Sequence, residues 1–278
     1  MILPHTRRPL IMGILNITPD SFSDGGEFFD PDKAVAHALK LVDDGADILD
    51  LGGESTRPGS ERVGADEQIE RVLPVIEQLV RHLPEGFPLS IDTTLAAVGD
   101  RAIRAGASIV NDISAGEDDE DMLTMVAAAG VDIILMHKQG SPATMQENPE
   151  YENVVEDIRH YLLERVAAAR RTGVKQENIV IDPGIGFGKT LEHNLRLMEN
   201  LNRFVDTGYP ALLGASRKSF LKNLGQVQDS RDLAGATCAT TVIGIQAGVR
   251  IFRVHDVKEN RQALEVAWAL KEGLTFNV

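Results

Sequence analysis

Residues 179 to 190 read I-V-I-D-P-G-I-G-F-G-K-T. A β-branched apolar run stops at a carboxylate, Asp182, and then Pro183 with Gly184, Gly186 and Gly188 forces the backbone out of any regular element. That is a strand delivering an acid to a loop. Two nucleotide motifs lie close to it, and spacing decides both. A phosphate-cradling G-x-x-x-x-G-K-[ST] requires glycine where the chain has Pro183, and G-x-G-x-x-G fails because the three glycines are spaced two apart. Nucleotide kinase and dehydrogenase readings drop out with them. What remains is a strand-end aspartate beside glycines that let a flat ligand approach the backbone, with Phe187 as a stacking face. A glycine turn merely capped by Asp182 is the plain alternative.

The same grammar recurs along the chain. Apolar runs end in a polar group at Asn16, at Asp50 to Arg57, at Asp92, at Asn111 and Asp112, at His137, at Ser216 to Lys218 and at Arg253 to Asp256. Between them lie helical patterns: Ala34, Val35, Ala38, Leu39 and Val42 after Pro31, a stripe from Ile69 to Val80, then segments 97–105, 122–129, 154–172 and about 195–201. Further helices are expected from Ser219, over 234–247 and through Trp268, with strand seven at 211–214. Strands apolar on both faces that alternate with helices predict a parallel sheet covered on both sides. An open doubly wound sheet would gather its chemistry at one switch point, whereas here nearly every strand ends in a reactive group. The expectation is therefore α/β, a single (β/α)8 TIM barrel, with residues 1–278 as one domain.

Composition bounds the partners. A chain of 278 residues with 43% hydrophobic content can bury a full core, and its formal net charge of -14 opposes nucleic acid and anionic membranes. Any anion it binds must be held by a local basic pocket. The one cysteine, Cys238, lies in a small-residue stretch and reads as a buried small hydrophobe, so a reducing cytoplasm is the expected setting. Residues 1–8 lack an apolar core, so no secretory leader is expected, and no run reaches membrane-spanning length.

Asp92, Asn111 and Asp182 are short polar side chains that can pair with a heterocycle edge rich in N–H and C=O groups, such as a pterin or a purine. Arg217, Lys218, Arg253 and His255 follow strands seven and eight, the pair that commonly builds phosphate sites in such barrels. Asn16 offers an oxygen to Mg²⁺ carrying a diphosphate. The plain alternative for Arg253 is an ion pair with Asp256. His37, His82, His160 and His193 sit on helical patterns and read as surface or structural, whereas His5 and His137 stay undecided.

These residues resemble the dihydropteroate synthase family over almost the whole chain: M-G-I-L-N-I-T-P-D-S-F-S-D-G-G at 12–26, D-L-G-G-E-S-T-R-P-G at 50–59, S-I-D-T at 90–93 and N-D-I-S at 111–114. The likeness continues with M-H-K-Q-G-S-P-A-T-M-Q at 136–146, D-P-G-I-G-F-G-K-T at 182–190, S-R-K-S-F at 216–220 and R-V-H-D at 253–256. Lys138 departs from it, standing where an apolar residue is more usual.

The resemblance implies condensation of a 6-hydroxymethyl-dihydropterin diphosphate with 4-aminobenzoate, releasing pyrophosphate, in folate synthesis, and it implies a homodimer. It assigns the pterin to Asp92, Asn111, Asp182 and Lys218, and the diphosphate to Arg253, His255 and Asn16, the last through Mg²⁺. Asp24 in the first loop and Thr56 with Arg57 in the second would close over the site, while Phe22, Pro58, Phe187 and Ser219 would shape the aminobenzoate pocket. Two rivals carry the same pterin residues: a pterin-binding methyltransferase, which has no use for a diphosphate clamp, and a non-catalytic pterin-binding homologue.

Overall fold

The computed structural model describes residues 8–18, 30–54, 62–140, 145 and 148–273. Within them run eight strands: β1 Leu10–Asn16, β2 Ile48–Gly52, β3 Leu89–Asp92, β4 Ile109–Asp112, β5 Asp132–Met136, β6 Ile179–Asp182, β7 Leu212–Leu213 and β8 Ile251–Val254. All pairings are parallel, in the order β6-β5-β4-β3-β2-β1-β8-β7. The seam between β6 and β7 is joined by a bridge from Ile181 to Ala211, which brings the sheet round to a nearly closed (β/α)8 barrel.

Helices α1 Pro31–Asp43, α2 Ala65–His82, α3 Ala96–Ala105, α4 Met122–Ala129 and α5 Val154–Thr172 are followed by α6 Leu191–Glu199 and a short α7 Asn202–Val205. Then come α8 Ser219–Gly225, α9 Ala234–Ala247 and α10 Val257–Glu272. Local chemistry sets their ends. The Asp30 side chain accepts from the backbone N–H of Asp32 and Lys33 with Pro31 at the first turn, and Asn153 caps α5 in the same way. Helix α6 begins four residues earlier than the apolar spacing suggests, because Thr190 and His193 form a reciprocal capping box. That gives His193 its structural role. Leu201 does not end this helix but leads into α7.

Side chains alternate across a strand, so residues two apart share a face. Leu10, Met12, Ile48, Ile109, Ile134, Val180, Leu212 and Ile251 form one buried cluster inside the barrel. Two residues further along the strands, the same inward face carries Asp50, Asn111, Met136, Asp182, Gly214 and Arg253. An apolar floor thus lies beneath a polar upper rung, while the larger core packs between barrel and helices. Among the described residues no helix is long and apolar enough to cross a membrane.

Candidate functional site

Above this rung opens a cleft bounded by Asp92, Asn111, Asp182, Phe187, Lys218 and Arg253. Register explains the convergence: Asp92 is paired with Asn111 across β3 and β4, and Met136 with Asp182 across β5 and β6. Every one of these six was expected from the sequence. Asp182 is 4% exposed and its Oδ1 accepts the Gly184 N–H at 2.7 Å, which fixes the carboxylate. Burial pushes its pKa up to about 6, with the Gly184 bond and Lys218 pulling the other way. Burial, reinforced by nearby Arg253, brings Lys218 down to about 8. Lys218 lies 3.9 Å above the centre of the Phe187 ring, so cation and ring make one wall.

The glycines of the β6 loop do more than border the cleft, where Gly184 lies. A Cβ on Gly184, at φ +68°, would stand 1.9 Å from the His137 carbonyl oxygen, and one on Gly188, at φ +64°, would stand 2.4 Å from that of Gln139. These two residues let the loop after β6 lie against the backbone after β5. Gly186 sits under the stem of Lys218, where a Cβ would meet Cδ at 3.0 Å. His137, undecided from the sequence, turns out to be part of this packing. It is buried, and its Nδ1 accepts from Lys189 Nζ at 3.0 Å, while Lys189 also donates to the Phe187 carbonyl at 2.8 Å. Burial, with Lys189 beside it, drops the His137 pKa to about 2.

Arg253 does not pair with Asp256. Its Nε donates to Asp50 Oδ2 at 2.6 Å and its Nη2 to Asp92 Oδ2 at 2.7 Å. Burial works against its charge, but the two carboxylates outweigh that and hold its pKa above the ordinary value. Burial pushes the Asp92 carboxyl up to about 7, with Arg253 as the main opposing pull, so the charge on Asp92 depends on that guanidinium. Asp256 is instead held by Arg217, through Nε at 3.0 Å and Nη2 at 2.5 Å. Arg217 is thereby turned away from the anion set in which the sequence placed it, its own backbone at φ +58°.

His255 follows Arg253 by two residues. The Ser216 hydroxyl accepts the His255 backbone N–H at 3.1 Å and lies 3.0 Å from Nδ1, which orients the ring. Ser219 is the first residue of α8, with Lys218 at the cap position, so it is not the N-cap and its hydroxyl is exposed. Lys138 bonds Asp118 at 2.7 Å, which gives a lysine its use at that position. Phe22, Asp24, Thr56, Arg57 and Pro58 lie outside the described residues.

Asp50 is the residue whose part the sequence did not disclose. It lies on β2, is 0% exposed, and its Oδ2 accepts from both Arg253 and Asn111, the latter at 3.1 Å. The available signal was its setting: a carboxylate two residues after inward-facing Ile48 in I-L-D-L-G must find partners inside the barrel.

Asn16 ends β1 and is half-buried. Among the described residues no three His, Cys, Asp or Glu side chains converge as metal ligands. Magnesium retains several waters and is commonly held by one or two protein oxygens together with substrate phosphates, so a lone strand-end amide oxygen fits that ion.

A family model described as pterin binding enzyme matches residues 12–255. The dihydropteroate synthase of Clostridium beijerinckii is 49% identical over 260 residues, covering 93% of this chain and 93% of that protein. Among solved structures, Xanthomonas albilineans dihydropteroate synthase with 4-aminobenzoic acid superposes with a TM-score of 0.89 at 40% identity, over 96% of this chain and 94% of that one. The same organism's enzyme in complex with 7,8-dihydropteroate gives 0.86 at 37% identity, over 97% and 96%. By sequence and by fold alike, the chain belongs to the dihydropteroate synthase family of pterin-binding enzymes.

Proposed function

We propose that this chain condenses 6-hydroxymethyl-7,8-dihydropterin diphosphate with 4-aminobenzoate, and that Asp92, Asn111, Asp182 and Lys218 hold the pterin while Arg253 and His255 hold the diphosphate. The observation that carries this assignment is the composition of one cleft: acceptors and an amide on the β3, β4 and β6 side, fixed cations on the β7 and β8 side. A flat ring with N–H and C=O edges matches the first set, and a leaving group with several negative charges matches the second. Phe187 and the stem of Lys218 give the aminobenzoate ring a wall, and the exposed Ser219 hydroxyl is our choice for its carboxylate. Phe22 and Pro58 would complete that pocket, and Asp24, Thr56 and Arg57 would close over it to exclude water.

The bond that breaks joins diphosphate to a CH₂ on an electron-rich ring, so an SN1-like path through a ring-stabilised cation is our mechanism. Arg253 and His255 stabilise the negative charge that develops on the departing oxygens, and the Asp182 carboxylate stabilises the cationic ring. Asn16 would hold Mg²⁺, which when bound neutralises phosphate charge. The neutral arylamine attacks the carbon and loses its proton to solvent, so neither a strong base nor a covalent enzyme intermediate is required. Scrambling of an isotopic label from the bridging oxygen of the diphosphate, with aminobenzoate withheld, tests the cation. Release that depends strictly on aminobenzoate, with no scrambling, would make the displacement concerted.

The same reading includes a homodimer and a cytoplasmic setting. In support of the first, α9 and α10 pack side by side and leave Val242, Ile243, Val266 and Leu270 exposed. Sedimentation of a Val266→Lys variant as a monomer, against a wild-type dimer, is the expected result; unchanged association would place the interface elsewhere.

A further inference from the structure

We propose that Asp50 is a positioning residue for the leaving group: it anchors Arg253 at Nε while the outer nitrogens of that guanidinium exchange Asp92 for the diphosphate. The inference rests on the functional reading above and adds to it a residue with no place in the substrate contacts.

Arg253 spans two carboxylates, and the two are not equivalent. Asp92 borders the cleft, so when the guanidinium leaves it, a ring N–H can take its place. Asp50 shares the inward face but does not border the cleft and has no exposure, and its Oδ1 is buried with no hydrogen-bond partner among the described residues. Its charge is therefore supported only through Oδ2, by Arg253 at 2.6 Å and Asn111 at 3.1 Å. Losing the arginine there would leave a buried carboxylate uncompensated, whereas at Asp92 the incoming ring N–H supplies the replacement. Nε stays while Nη2 is exchangeable. A pterin that donates to Asp92 Oδ2 competes with Nη2 for the same oxygen, so arrival of the ring turns the guanidinium toward the phosphates. Asp50 also holds Asn111 through that same oxygen, which ties the pterin-facing amide and the phosphate-facing cation to one buried point.

The test is a double-variant cycle with two readouts, kcat for pyrophosphate release and the calorimetric Kd for pyrophosphate with magnesium. The four proteins are wild type, Asp50→Asn, Arg253→Met and Asp50→Asn/Arg253→Met. A barrel-supporting role for Asp50 would persist after Arg253 is gone; a positioning role would not. Asp50→Asn alone should lower kcat about a hundredfold and pyrophosphate affinity at least about tenfold, the scale for disrupting one partner of a buried charge pair. The double variant should match Arg253→Met within about threefold in both readouts. Additive losses, or an Asp50→Asn enzyme with wild-type kcat and Kd, would overturn the proposal. If Asp50→Asn alone does not fold, the comparison of the double variant with Arg253→Met still decides, because there both buried charges are absent. Wild type that binds pyrophosphate yet performs no condensation would sink the functional reading alone, and wild type that binds no pyrophosphate would sink both.

Discussion

Asp182 must be ionised to accept pterin N–H groups, yet burial holds its pKa at about 6, so pterin affinity should depend on pH in the range where the protein is handled. Below pH 6 each unit of acidification protonates most of the remaining carboxylate, so the Asp182 contribution to affinity should fall about tenfold per unit, and above pH 7 that contribution should level off. The same shift has a cost in stability, and its sign is definite. A carboxyl whose folded pKa lies above its ordinary 3.8 binds a proton more tightly in the native state, so folding loses stability as pH rises from about 4 through about 6. The difference amounts to about 3 kcal/mol at pH 8. Asp182→Asn keeps an oxygen for the Gly184 N–H and removes the charge. It should therefore remove the Asp182 part of the pH dependence of pterin binding and leave the part set by Asp92, at about 7, and Lys218, at about 8; it should also weaken that binding at pH 8, and raise the melting temperature by several degrees at pH 8 but not at pH 4. Calorimetry with a non-reactive pterin and thermal melts from pH 4 to 8 on both proteins provide the readouts; the ratio of their affinities cancels titration of the ligand itself. A wild-type affinity parallel to that of the variant across pH, or a variant less stable at pH 8, would refute the burial argument.

Arg253→Ala and His255→Ala should each lower kcat by roughly two to three orders of magnitude, with a smaller effect on aminobenzoate KM; unchanged kcat in both removes the diphosphate clamp. Ser219→Ala should raise KM for 4-aminobenzoate while pterin affinity stays within about threefold, and the carboxamide analogue should lose much less on the same change. Because Ser219 is not the cap of α8, its melting temperature should hold; equal losses for acid and amide would move the carboxylate elsewhere. Gly184→Ala puts a Cβ 1.9 Å from the His137 carbonyl at φ +68°, so it should displace the β6 loop and cut pterin affinity and stability together; a variant with normal affinity would show that the loop does not set the Asp182 geometry.

The barrel was legible because its signal is local: strands apolar on both faces, each running into a helical stripe. Strand-end chemistry was equally plain for Asp92, Asn111, Asp182, Lys218 and Arg253, since a polar group at or just beyond the end of an apolar run lies near the rim; which of them faces inward follows from alternation, and Asp112 at the end of β4 turns instead to Ser114 and Gly116. Pairings across the barrel were not. Arg253 meets Asp50 across 203 residues, and nothing near either in the chain announces the other, whereas sequence proximity offered Asp256 as a decoy that Arg217 in fact occupies. The loop glycines were legible only in part, for a similar reason. Their positive φ was readable, but the backbone they approach belongs to the β5 loop, more than forty residues earlier. The start of α6 was missed because a histidine completes its capping box in place of the usual Glu or Gln.

The most direct test of the central claim is pyrophosphate release by the wild-type protein, assayed with the pterin diphosphate and 4-aminobenzoate together and with each alone, with magnesium present. The account predicts one pyrophosphate for each 7,8-dihydropteroate formed, and dihydropteroate only when both substrates are supplied. A protein that binds the pterin but forms no dihydropteroate from the pair would contradict it and leave only a pterin-binding barrel.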